Sequence, residues 1–303
     1  MKLPCLILIF IIVDAEHHLF SRLQRVADTD HSVYTLSSNT ASNHAVCAKN
    51  CKSEDCLSFS YTAADKRCET YSRSIGGKTD VGPSMSTMYF AKVFSSCSEV
   101  PQKHPSGIYR IGTRKGIGVD MFCEMDTAEG PWMVIQRRTK GDVDFYRGWN
   151  DYKYGFGDLL GDFWIGNENL HLLTNISRTL RVELEGWDGT RGYAQYSIFR
   201  VSHEDQNYTL NVNGFTGNVS FNAITGNNDQ SFTTYDRDND QSDTSNCAEY
   251  RHSGWWFFDC TRVNLNGRYQ SHRVDLRQAM TWANFPDDQI YFSPLKTTTM
   301  KIR

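Results

Sequence analysis

Three features of the sequence predict an α+β fold. Apolar residues alternate over short runs, as in Trp132-Met-Val-Ile-Gln-Arg and Leu180-Arg-Val-Glu-Leu-Glu, while helical spacing is confined to brief segments. Glycines and aromatic residues punctuate the long connecting stretches, so the elements should be short and any binding face built from loops. The texture also changes along the chain, since all seven tryptophans lie from Trp132 onward. A length of 303 residues suggests about two domains.

The chain opens with Met1-Lys2 and an apolar run over residues 3–13, the charged start and short hydrophobic core of a secretory leader. Val13 and Ala15 supply the small residues before a cut at about Glu16, so residues 1–15 are expected to be removed. A membrane anchor needs roughly 20 apolar residues, and no stretch here reaches that length. The mature chain is therefore expected to be soluble, secreted and extracellular, with no membrane span. Of nine cysteines the leader takes Cys5, leaving an even number that reads as a disulfide framework. A net charge of −3 argues against nucleic acid, whose phosphates need a concentrated basic face. Three sequons, at Asn175, Asn207 and Asn218, suit a glycosylated exterior.

Residues 16–95 form the first part, centred on NHAVCAKNCKSEDCLSFSYTAADKRC. Asn43 is a candidate helix cap, with Cys47 and Cys51 one turn apart on the helix that follows. Leu57, Phe59 and Tyr61 alternate as a half-buried strand does, and residues 88–94 read as another. Four close cysteines could hold zinc, but C-x3-C and C-x4-C behind a leader suit disulfides better. The pattern resembles the PAN/apple module, whose helix carries C-x3-C ahead of a C-x-x-F-x-Y strand. That resemblance implies Cys47–Cys68 and Cys51–Cys56 pairs. The outer third disulfide of many apple modules has no counterpart, because no further cysteine precedes Cys47 outside the leader.

Polar residues and two prolines over residues 95–105 mark a boundary, and residues 96–303 form the second part. Neither a Gly-X-Y tract nor a sustained heptad is present, so oligomers would have to form without a collagen or coiled-coil stalk. Residues 168–174, capped by Asn167, read as a short helix. Farther on, Asp236, Asp238 and Asp240 alternate ahead of Cys247 and Cys260, which bracket Trp255-Trp256-Phe257-Phe258. Clustered carboxylates repel unless solvent or a cation absorbs the charge, and calcium favours oxygen donors on flexible loops. A solvated acidic loop is the competing reading. An EF-hand is excluded, since counting from Asp236 puts Gln241 where glycine is needed and Cys247 where the closing glutamate belongs.

From Ser96 onward the blocks PSGIYRI, VDMFCEMD, GPWMVIQRR, DFYRGWNDYKYGFGD, NCAEY, GWWFFDC, NLNGRY and TTTMKIR follow in an order that resembles the fibrinogen C-terminal domain. Fibrinogen, ficolins, tachylectins, angiopoietins and tenascins share that domain. The resemblance implies an α+β globe with a mixed central sheet, Cys97–Cys123 and Cys247–Cys260 disulfides, and a Ca²⁺ site. Calcium would be held by Asp238 and Asp240 side chains and by carbonyls near Ser242 and Thr244, with Asp236 orienting the loop. One extra residue between Asp240 and Cys247 makes the carbonyl assignments less direct. The family also implies a cis peptide at Asp259–Cys260, aiming an amide into a ligand pocket.

By the same resemblance the pocket comprises Tyr250, Arg251, Asp259, Cys260, Thr261, Leu276 and Arg277. Arg251 stands where fibrin-type members carry a carboxylate, so a cationic knob would be repelled, and the aromatic cage for an acetyl group is thinned. Two guanidiniums suit anionic glycans, unless they pair with Asp259 or Asp275 or point into solvent. The expected partner is a carbohydrate, acetylated or anionic, on a microbial or cell surface, which makes a lectin of innate defence. A protein receptor, as for a signalling or adhesion ligand, is the alternative. No enzyme is indicated: GxSxG is absent, His203-Glu-Asp-Gln-Asn lacks a zincin's second histidine, and no phosphate loop occurs. Lys140-Gly-Asp142 imitates an integrin tripeptide but falls in an expected turn, and His17 and His18 belong to the new terminus.

Overall fold

A computed structural model describes residues 11–13, 19–22, 35–73, 87–113, 118–127, 129–271 and 277–303. The chain divides into two compact units, Met1–Pro131 and Trp132–Arg303. Of the expected leader only Ile11–Val13 is described, as a strand (β1) pairing with Leu19–Arg22 (β2); His17 and His18 lie outside the described residues.

In the first unit, β3 (Thr35–Thr40), β4 (Ser58–Thr62), β5 (Arg67–Tyr71) and β6 (Thr87–Phe94) form an antiparallel sheet in the order β6-β4-β5-β3. Helix α1 (His44–Ala48) is capped by Asn43, whose Oδ1 accepts from Val46 N at 2.9 Å. It ends before Cys51, which therefore sits in the following loop rather than on the helix. Cys47–Cys68 ties α1 to β5, and Cys51–Cys56 closes the loop. Phe59 and Phe90 stack at 4.7 Å between ring centres in this small core.

The sheet does not stop at the end of that module. β6 pairs in parallel with β7 (Gly107–Gly112), which pairs with β8 (Gly118–Glu124), and Cys97–Cys123 clasps the addition. This parallel pair makes the sheet mixed. Lys103 Nζ reaches Asp55 at 2.7 Å, and His104 Nε2 bonds Glu54 O at 2.9 Å. The first strands after residue 96 thus pack with the cysteine-rich module, which explains why the compact unit runs on to Pro131.

In the second unit β9 (Trp132–Arg138), β10 (Phe156–Gly157), β11 (Phe163–Trp164), β12 (Arg178–Gly186), β13 (Arg191–Val201), β14 (Leu210–Gly217) and β17 (Leu295–Ile302) pair antiparallel, in the order β14-β13-β12-β17-β9-β11-β10. β15 (Val263–Asn264) and β16 (Thr281–Trp282) make a separate ribbon. Helix α2 is Trp149–Tyr154, and α3 is Asn167–Leu173. Asn167 does not cap α3. Gly166 holds the cap position, and Asn167 Oδ1 accepts from Trp164 Nε1 at 3.1 Å. Trp132, Trp164, Trp255, Trp256 and Trp282 are fully buried, so most tryptophans are core. Phe232 meets Trp256 edge-on at 5.2 Å, and this aromatic floor carries the acidic loop.

Candidate functional site

The acidic loop leaves Phe232 and is pinned at once. Thr233 and Trp255 exchange backbone hydrogen bonds of 2.9 and 3.2 Å, anchoring the loop on the tryptophan block. At its far end α4 (Cys247–Arg251) is capped by Asn246, whose Oδ1 accepts from Ala248 N and Glu249 N. Asn246 Nδ2 reaches back to Thr234 O at 3.1 Å and Tyr235 O at 3.3 Å. Cys247–Cys260 then ties α4 to the strand of residues leading into β15.

Within this frame the three aspartates differ. Asp236 Oδ1 accepts from Trp149 N at 2.8 Å and Thr234 Oγ1 at 2.7 Å, so it orients the loop against α2. Asp240 Oδ1 accepts from Ser242 N and Oδ2 from Cys247 N, at 2.9 and 2.8 Å. Asp238 Oδ1 accepts from Asp240 N at 3.2 Å, and the two carboxyl groups lie within hydrogen-bonding reach. Burial pushes the Asp240 carboxyl above its ordinary value, and the charge of Asp238 adds to this. Two facing carboxylates on oxygen-rich turns are a donor set that a hard divalent cation fits. Ser242 is half-buried and Thr244 exposed. Asp259 lies within 4.8 Å of both bracket sulfurs, but these form a disulfide and offer no thiolate to a metal.

Beyond α4 the expected pocket is partly closed. Arg251 is buried, and its guanidinium donates to Arg277 O at 3.2 Å and Thr261 O at 3.0 Å. It also lies 5.0 Å from the centre of the Phe292 ring, a neighbour that sequence reading missed. A buried guanidinium needs acceptors, and the chain brings these backbone oxygens to it. Arg277 is exposed, with Nη1 donating to the Tyr250 hydroxyl at 3.3 Å. Tyr250 is itself exposed, so Tyr250 and Arg277 form the open part of this face. Thr261 Oγ1 donates to Val263 O at 2.9 Å. Leu276 and Asp275 lie outside the described residues.

The cis expectation is corrected. The cis bond among the described residues is Phe285–Pro286, and Asp259–Cys260 is trans. A non-proline cis amide costs about 2.5–4 kcal/mol, whereas a bond before proline costs far less. Phe258 N reaches Cys260 O at 2.9 Å, so a tight turn serves the bracket without a cis bond.

A second concavity, of about 400 Å³, lies between residues 138–146 and residues 252–270. Its residues come from segments more than 100 positions apart, which is why no local pattern announced it. Gly141 and Asp142 line it, and Lys140-Gly141-Asp142 is a turn, with Lys140 N and Gly141 N both donating to the buried Asp162 carboxylate.

Known proteins agree with this architecture. The model of the C-terminal globular domain of fibrinogen beta and gamma chains matches residues 94–303, and the PAN domain model matches residues 22–94. Angiopoietin-related protein 7 of Mus musculus is 39% identical over 225 residues, covering 72% of this chain and 65% of that protein. Ficolin-3 of Homo sapiens is 42% identical over 181 residues, covering 59% of this chain and 60% of that protein. The chain thus spans less than two thirds of either relative. The solved fibrinogen-like globe domain of human ANGPTL2 aligns at 36% identity with a TM-score of 0.62, covering 66% of this chain and 93% of that one. Among the described residues no helix is long and apolar enough to cross a membrane. With its amino-terminal PAN domain and its mixed-sheet α+β globe, the chain belongs to the fibrinogen C-terminal domain family.

Proposed function

We propose that this chain is a secreted, calcium-binding, non-catalytic recognition protein, organised as a leader (1–15), a PAN module (16–95) and a recognition globe (96–303). The observation that carries the reading is the clamped acidic loop, which runs directly into α4 and its exposed Tyr250. Asp238 and Asp240 would hold Ca²⁺, with carbonyls near Ser242 and Thr244. The ion would neutralise the two carboxylates and fix the approach to the Tyr250–Arg277 face. Asp236 holds the loop to Trp149 whether or not calcium is bound.

A protein receptor is the ligand class this face favours. Arg251 donates to backbone carbonyls, so Tyr250 and Arg277 are the exposed side chains that this face offers a partner. Similarity to angiopoietin-related protein 7 supports the same reading. Similarity to Ficolin-3 supports the second, a lectin, for which Arg277 is the candidate contact to an anionic sugar. Binding of the full chain to intact cells and to a glycan array, each with calcium and with chelator, separates the two. Saturable, sugar-insensitive cell binding weakened by Tyr250→Ala is the expected result. Chelator-sensitive array binding would favour the lectin. Neither kind of binding, or no response to chelator in either, would remove the calcium-linked face as the site.

A further inference from the structure

The chain holds two Asn-Gly pairs, Asn213-Gly214 and Asn266-Gly267, and one Asp-Gly pair, Asp188-Gly189. At each, the glycine nitrogen can approach the preceding side-chain carbonyl carbon, because glycine carries no Cβ to block it. Local sequence makes the two Asn-Gly pairs equal, and the fold separates them. Asn213 and Gly214 are exposed in the middle of β14, the outermost strand of its sheet. Gly214 has a φ of 73°, and an added Cβ would collide with Ser197 Oγ. The ladder lapses at this point: Tyr196 pairs with Phe215 and Ile198 with Asn213, but Ser197 and Gly214 do not pair. Gly214 N instead donates to Asn213 Oδ1 at 2.7 Å, which sets the nitrogen beside Cγ, the carbon bonded to that oxygen.

At Asn266 the same atoms are engaged elsewhere. The residue is fully buried, its Nδ2 donates to Gly254 O at 3.0 Å, and its Oδ1 accepts from Gln136 Nε2 at 3.2 Å. Gly267 N donates to Asn264 O at 3.1 Å, so it is committed to a turn and not to the Asn266 side chain. At Asp188 the carboxylate accepts from Thr190 N at 3.0 Å and Thr190 Oγ1 at 2.9 Å, which holds it below its ordinary pKa. An ionised carboxylate resists nucleophiles, and Gly189 N is committed to Gly186 O at 3.0 Å. Asn213 has neither restraint. Among the described residues its Nδ2 has no hydrogen-bond partner, so nothing ties down the leaving amine.

We propose that Asn213 is a site of spontaneous deamidation, a modification that needs neither calcium nor the Tyr250–Arg277 face. Gly214 N bonds to Asn213 Cγ as the Cγ–Nδ2 bond breaks, and the Gly214 amide proton leaves with Nδ2 as ammonia. Water then opens the cyclic imide at either carbonyl, giving aspartate or isoaspartate, so one water is consumed for each ammonia released. The product puts a new negative charge on the outer strand, and the isoaspartyl form adds a carbon to its backbone. The test incubates the folded full chain in mildly alkaline buffer at body temperature, beside a reduced sample unfolded in guanidinium. Peptide mapping by mass spectrometry follows both asparagines over time, with fragment spectra to locate each change and retention shifts to reveal isoaspartate at Asp188. In the folded chain Asn213 should convert about tenfold or more faster than Asn266 and Asp188. Unfolding should bring the two asparagines to similar rates. The proposal is overturned if Asn213 stays intact in the folded chain, if Asn266 or Asp188 converts as fast, or if the gap between the asparagines persists after unfolding.

Discussion

The backbone N–H of Trp149 donates to Asp236 Oδ1 at 2.8 Å, joining the start of α2 to the acidic loop 87 positions later. The same oxygen accepts from Thr234 Oγ1, and Gly148 leaves room for the carboxylate, since an added Cβ there would lie 2.6 Å from Asp236 Oδ2. Removing the carboxylate strands a donor on a buried residue. Asp236→Ala should therefore cost about 2 kcal/mol of stability, in calcium and in chelator alike. Asp238→Ala should instead lose calcium affinity and the calcium-dependent part of the stability, which is about 2.7 kcal/mol at a hundredfold excess over Kd. Urea titrations of both variants in the two buffers measure this. Identical behaviour of the variants would end the distinction between orienting and ligating aspartates.

Arg251 and Arg277 separate in the same manner. Arg251 is buried against the carbonyls of Arg277 and Thr261, and truncation would leave both acceptors short of a donor. Arg251→Ala should cost about 3 kcal/mol. Arg277→Ala should change stability by no more than about 0.5 kcal/mol, as exposed positions usually do. Thermal melts provide the comparison, and an unaltered melting temperature for Arg251→Ala would return that residue to the ligand face.

Much of the architecture is legible in the sequence because it rests on local spacing. The C-x3-C helix with its Phe59 and Tyr61 strand, and the alternation along β12, are contiguous patterns. Details that depend on tertiary competition are not. Asn167 has the chemistry of a cap, yet the indole N–H of Trp164 claims its oxygen. Arg251 has the charge of an anion receptor, yet the fold turns it inward onto carbonyls. The cleft of Tyr146, His252 and Tyr269 is assembled from distant loops, so no window of sequence contains it. Its one local trace is Gly141, read as a plain turn and found beneath the Tyr269 ring.

The three sequons are not equivalent. Asn175 is exposed between α3 and β12, and Asn218 is exposed after β14. Asn207 is half-buried with a left-handed backbone, Arg237 Nη2 donates to its Oδ1 at 2.6 Å, and the central Tyr208 of that sequon is fully buried. Peptide mapping of the chain from a secreting eukaryotic host should find glycan at Asn175 and Asn218 and none at Asn207. Full occupancy of Asn207 would show that glycan transfer precedes folding of this segment.

His252 gives the globe a specific pH response. Its imidazole lies against Tyr146, and Nε2 accepts from Arg268, so the ring is held neutral with its proton on Nδ1. Burial lowers its pKa from the usual 6.5, the charge of Arg268 lowers it further, and Asp144 opposes them. An unfolded chain binds this proton near pH 6.5, whereas the folded chain binds it only at lower pH. Between those two points the unfolded state carries more protons. The contribution is thus complete above about pH 6.5 and is lost as pH falls toward the folded pKa. His252→Asn keeps a side chain that tolerates the left-handed backbone of φ 58° and removes the titration. Melting temperatures of both proteins, taken from about pH 7.5 down to about pH 5, should diverge in slope, with wild type falling more steeply. The subtraction also removes the other eight histidines of the chain from the comparison. Imidazole resonances followed by NMR should place the His252 midpoint below that of an exposed histidine. Parallel melting curves, or a midpoint at or above 6.5, would mean that the Arg268 contact does not hold the neutral ring.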